Sequence, residues 1–164
     1  MTDANWHDEP VPYMARTRQY YRAMGYTRDY TWAEHDTIPF NRSPGTLRGM
    51  RITLISTAGP PDWTGARKPE DRHVCTTELA NLPQEFATNV AWDRESTHVR
   101  DPESYVPVRA LTRLASDGLF GTLTPRLISV PTVYSSRRTL EEDAPKVLAA
   151  CVEDGTEAAV LTAL

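Results

Sequence analysis

Cysteine is scarce in this chain. Cys75 and Cys151 are the only two, far apart in sequence, and they form neither a Cys-x-x-Cys pair nor a zinc pattern. No apolar run approaches the roughly 18 residues needed to cross a bilayer, which excludes a membrane-spanning helix. Positive charge is too thinly spread to form a basic stripe. With a net charge of −4, the chain lacks the footprint of a general nucleic-acid binder. No Gly-x-Gly-x-x-Gly or Walker sequence occurs, so no nucleotide cofactor is expected. Internal repeats and low-complexity tracts are missing as well. Met1–Pro10 has neither the basic nor the apolar region of a secretory signal, and a soluble cytoplasmic protein is the expectation.

What the chain does contain is enough for one domain. Its 164 residues can bury about 70% of the unfolded chain's surface. Residues 1–11 read as a loose polar arm. Pro12 opens a helical pattern with Tyr13, Met14, Thr17, Tyr21 and Met24 near one face, and Gly25 is placed to end it. Many of the 13 prolines fall before residue 70, which predicts irregular connections in the first half. Arg51–Thr57 is β-branched and nearly continuous in apolar character, the signature of a strand. Residues 60–84 read as a long polar loop insertion. A second strand is expected over Ala87–Trp92 and a helix over Pro107–Asp117, stopped by Gly118. A short strand follows at Arg126–Val130, closed by Pro131.

Thr139 and Glu142 have the spacing of a capping box for the last helix, whose apolar face is Leu140, Ala144, Val147, Leu148 and Cys151. Pro145 is irregular there, since proline is tolerated mainly in a helix's first turn. The last seven residues, Ala158–Leu164, carry no charge and read as a buried strand of a parallel sheet. With the helix before them they complete a strand–helix–strand unit, expected to be a right-handed crossover.

In an open α/β sheet, ligands collect at the carboxyl ends of the strands. That rule singles out Thr57 and Gly59 after the first strand and Thr162 in the last. Gly59 can let a ligand approach the backbone closely. His98 is placed in a loop after a strand, near Asp93 and Glu95, where an imidazole can move protons; most loop histidines have no such role. Arg126 is a candidate for a substrate carboxylate, although it starts its strand and would have to reach from the other end. His73 and Cys75 stand two apart, but two ligands do not make a metal site. Cys151 on an apolar helix face reads as a small core side chain rather than a nucleophile.

Several stretches in order carry a resemblance. They are Pro12-Tyr-Met-Ala-Arg-Thr-Arg-Gln-Tyr-Tyr-Arg-Ala-Met-Gly-Tyr26, Ile52-Thr-Leu-Ile-Ser-Thr-Ala-Gly59 and Ser96-Thr-His98. Two more are Gly118-Leu-Phe-Gly-Thr-Leu-Thr-Pro-Arg126 and Asp154-Gly-Thr-Glu-Ala-Ala-Val-Leu-Thr162. Tyr105-Val-Pro-Val-Arg-Ala-Leu111 is similar to a Val-Phe-Pro-x-Asp-Arg-Leu segment, with Arg109 where an aspartate is usual. In these the chain resembles the selenoprotein B family of glycine, sarcosine, betaine and D-proline reductases, specifically its shorter bacterial members.

The resemblance implies a Rossmann-like three-layer α/β fold, with a mostly parallel sheet and flanking helices, incomplete at its C-terminal end. It implies reductive cleavage of a carbon–nitrogen bond in a small amino acid or amine, with electrons from a thiol donor and other reductase subunits as possible partners. The family's strand corresponding to Ala158–Leu164 runs directly into a selenocysteine or cysteine cluster. The nucleophile is therefore expected immediately after Leu164, where a selenocysteine codon, UGA, would be read as a stop. Neither Cys75 nor Cys151 matches that cluster. His98 corresponds to the family's Ser-His position. No pyruvoyl-forming site is seen. The alternative expectation is a non-catalytic binding or assembly subunit, completed by a second chain.

Overall fold

The structure, a computed structural model, describes residues 10–29, 34, 36–38, 41–42, 45–65, 71–87, 99–133 and 135–164. The chain divides into two compact units, Met1–Pro39 and Phe40–Leu164.

The first unit holds helix α1, Tyr13–Ala23. It begins after Pro12, and Gly25 ends it with a positive φ of 91°, as the sequence indicates. Tyr21 packs edge-to-face against Tyr20 and Tyr26, with ring centroids 5.7 and 5.5 Å apart. Arg22 donates two hydrogen bonds to Asp29, at 2.9 and 2.5 Å. None of the residues of α1 is buried.

The second unit is built on one four-stranded sheet. Its strands are β1 (Arg51–Ser56), β2 (Cys75–Glu78), β3 (Thr122–Ser129) and β4 (Ala158–Thr162), and they lie in the order β2-β3-β1-β4. β1 is parallel to both β3 and β4, whereas β2 runs antiparallel to β3. The apolar run Ile52–Ile55 sits centrally, and Ile52 to Ser56 are all buried. That is the place for a strand covered on both faces. Helix α2 (Val108–Ser116) presses Leu111 onto a core containing Ile52, Leu54, Phe86, Tyr105, Val106, Phe120 and Leu127. Its first two free amides, on Arg109 and Ala110, donate to the Glu103 carboxylate at 2.9 and 3.2 Å, which answers the orphan donors of a helix start.

Four sequence expectations change. The polar stretch 60–84 contains a 3-10 turn (Pro61–Gly65) and strand β2, so part of the expected loop is woven into the sheet. The strand placed at Arg126–Val130 starts earlier, at Thr122, because Thr122 and Leu123 already pair with Arg51 and Ile52. The last helix is not capped by Thr139. A single turn α3 (Ser136–Arg138), a π-turn (Thr139–Asp143) and helix α4 (Ala144–Glu153) run end to end. Ser135 Oγ accepts the capping bond from Arg138 N–H at 3.3 Å. Pro145 follows the π-turn directly, near the start of α4, and has no N–H to donate back into it. Finally, β4 is an edge strand with alternating burial, not a buried one, and Leu161 is 75% exposed. The strand expected at Ala87–Trp92 falls, apart from Ala87, outside the described residues. Ala87 itself bridges Gly59.

Two anchors fix β4 at its start. Gly155 ends α4 at φ 65°, and a Cβ there would come within 2.4 Å of Arg51 Nη1; glycine suits both demands. Arg51 Nη1 donates to the carbonyl of Asp154 at 3.1 Å, and Arg51 N–H to the Glu157 carboxylate at 3.0 Å. Among the described residues, no helix is long and apolar enough to cross a membrane.

Candidate functional site

The parallel register brings the carboxyl ends of three strands level. Ser56 of β1 pairs with Ser129 of β3 on one side and Thr162 of β4 on the other. Side chains in register share a face, so three small hydroxyls form a row across the sheet, extended by Cys75, the partner of Ser129. The row is tied to the loop before α2. Thr162 Oγ1 donates to the Tyr105 carbonyl at 2.6 Å, and Ser56 Oγ donates to the same oxygen at 3.3 Å. Ser56 Oγ in turn accepts from Ala58 N–H at 3.1 Å.

Thr57 continues this end of the sheet. Its N–H donates to the Thr162 carbonyl at 3.3 Å. Its hydroxyl accepts from Leu164 N–H at 2.8 Å and donates to the Leu164 carbonyl at 3.3 Å. One side chain therefore holds both backbone groups of Leu164. Thr57 and Thr162, both singled out by the strand-end rule, are brought together here, and the hydroxyl of Thr57 works as a clamp on the main chain.

Gly59 lies two residues on. Its N–H and C=O pair with Ala87 at 3.0 and 2.9 Å. A Cβ at Gly59 would meet Trp63 Cε3 at 1.9 Å, so the glycine is required by the indole packed on it. Trp63 is only 4% exposed. It is a wall of this end of the sheet that sequence reasoning missed, as it missed the Tyr105 carbonyl. A tryptophan four residues after a strand-end glycine was the available signal for the first; a backbone carbonyl gives none.

Arg126 is not part of this cluster. It stands three residues before the end of β3, and side chains alternate along a strand, so it lies on the face opposite Leu127. There its Nε donates to both oxygens of Asp154 at 3.1 Å, and Nη2 to Asp154 and Glu153 at 2.6 and 2.8 Å. The hydrogen bond to Asp154, then that to Glu153, pushes the guanidinium pKa further up. The group expected to take a substrate carboxylate is already taken up by two of the chain's own. His98 lies outside the described residues.

Cys75 is half-buried. Burial pushes its thiol from the ordinary 9.0 up to about 11, against the lowering effect of the Ser129 hydroxyl and with a further push from Asp62. The thiolate is the nucleophile, so Cys75 is unsuited to that task at neutral pH. Alkylation of Cys75 by iodoacetamide at pH 8 is expected to run about 100-fold slower in the folded chain than after unfolding, from its smaller thiolate fraction alone. Peptide mass spectrometry would follow it, and the two rates should converge as the pH approaches 11. Stability from keeping this thiol neutral is fully present below pH 9 and is lost as the pH rises through about 11.

Among the described residues, no group of three His, Cys, Asp or Glu side chains is arranged to hold a metal ion. The arrangement offers hydroxyl groups, a fixed main chain and an indole wall at the carboxyl ends of parallel strands. Comparison of the chain with protein-family models, curated proteins and solved structures finds no match.

Proposed function

We propose that this chain is part of a thiol- or selenol-dependent reductase of the glycine, sarcosine, betaine and D-proline reductase type. It would act on a carbon–nitrogen bond of a small amino acid or amine, with the nucleophile in the residue after Leu164. The fold we propose is Rossmann-like and three-layered, and the setting cytoplasmic. The observation that carries the reading is the Thr57 clamp. A nucleophile is useful only where its backbone is held and its side chain can be approached, and both backbone groups of Leu164 are fixed by one hydroxyl at a parallel strand end.

A selenolate or thiolate placed there would supply the nucleophile, and a neighbouring thiol would resolve its adduct by exchange with a thiol donor. The chain's own residues set the stage. Thr57 orients the main chain, and Thr162 and Ser56 anchor the strand ends to the Tyr105 carbonyl. Gly59 keeps the first loop close beneath Trp63. His98 is the proposed proton carrier. Arg126 is left out, since its charge is spent within the fold.

The nucleotide sequence after the codon for Leu164 tests this directly. UGA followed in frame by a Cys-x-x-Cys-like cluster is the expected result. UAA or UAG without coding continuation would overturn it. The exposed outer face of β4, with Leu161 75% exposed, favours a second reading for that outcome, a binding or assembly subunit completed by another chain.

A further inference from the structure

The geometry points to Arg138, the residue just before the π-turn, as a positioning residue that fixes the Gly59–Trp63 wall of the site. Asp143 closes that turn and is 1% exposed. A buried carboxylate requires a compensating cation. Arg138 Nε stands 3.7 Å from Asp143 Oδ2, while neither carboxylate oxygen accepts a hydrogen bond among the described residues. The two residues are five apart. In a regular α-helix, such residues lie about 140° apart around the axis. Hydrogen bonds spanning five residues in the π-turn bring them to one side. Single π-turns are frequent at functional sites. This one holds a charge pair that an α-turn would separate.

The other end of the guanidinium leaves the helix. Arg138 Nη2 donates to the Arg72 carbonyl, Arg72 Nε donates to the Trp63 carbonyl at 3.3 Å, and the Trp63 indole covers Gly59. A polar relay thus runs from the buried carboxylate to the first loop of the site. Its pivot is a planar fork whose Nε faces Asp143 as an ion pair without a hydrogen bond and whose Nη2 donates to Arg72. A lysine ammonium is a single point charge and cannot span both.

Arg138→Lys and Asp143→Asn in the whole 164-residue chain test the relay by amide hydrogen exchange and by the Trp63 indole resonance, assigned through Trp63→Phe. In both variants the hydrogen-bonded amides of Gly59, Trp63 and Ala87 are expected to exchange at least about 10-fold faster and the indole resonance to shift, while the β1 amides of Ile52–Ser56 keep their rates. Unchanged exchange at Gly59, Trp63 and Ala87 and an unmoved indole in both variants would overturn the proposal. So would equal acceleration of β1, which would make Arg138 a general stabilising residue. The inference rests on reading Thr57 and Gly59 as the site. Its readout needs no turnover and no downstream cluster, so its failure is separate from failure of the reductase reading.

Discussion

Leu127→Ala is expected to cost about 3–4 kcal/mol of folding free energy, the loss typical of truncating a fully buried leucine that leaves a cavity. Leu127 is 0% exposed. It pairs in register with Leu54 and belongs to the cluster that includes Leu111 and Phe120. Neighbours on a sheet cannot slide in to fill the space without breaking the ladder. In urea unfolding the midpoint should fall at unchanged slope, and the thermal midpoint should drop by about 10 °C for a chain of this size. Leu127→Met, which conserves volume, should cost less than about 1.5 kcal/mol. A loss below 1 kcal/mol for the alanine variant would mean that α2 does not seal this face of the sheet.

Arg126→Ala is expected to destabilise the chain by about 2–3 kcal/mol. Removing one partner of a fully buried ion pair costs roughly 3–5 kcal/mol because the other charge is stranded. The loss is smaller here because the Arg126 side chain keeps 19% of its surface in water, whereas Asp154 keeps 6%. The paired variant Arg126→Met, Asp154→Leu should recover most of the loss, since no buried charge then remains. Urea unfolding of both variants completes the comparison. A fully stable Arg126→Ala protein that had lost amino-acid binding would instead return the guanidinium to the role first expected of it.

The parts legible in the sequence are those governed by short-range physics. The Ile-Thr-Leu-Ile run gave β1, the helix expected over Pro107–Asp117 is α2, and Gly25 and Gly118 marked helix ends. The rule that ligands gather at parallel strand ends placed Thr57 and Thr162 in the same region. What the sequence hid depends on distant partners. Cys75–Glu78 has no apolar alternation of its own and becomes a strand by pairing with β3. Asp154 reaches Arg126 across 28 residues, and nothing local announces that pairing. Thr139 and Glu142 have capping-box spacing, yet Ser135 caps, because the helical run already begins at Ser136 and passes through Thr139 without a break.

The sheet order has a consequence for synthesis. β1 sits between β3 and β4, and its contacts with β4 span about 106 residues, as in Arg51 to Glu157. At roughly 5–20 residues per second of translation, β1 leaves the ribosome about 5–20 s before its β4 partner exists. β3 itself follows β1 in the chain, Thr122 pairing with Arg51, so β1 has α2 and β3 beside it only in the last part of that interval. The nascent chain therefore presents its central strand half-paired, and a chaperone that shields short apolar strands should be found on it between the emergence of Ser129 and that of Thr162.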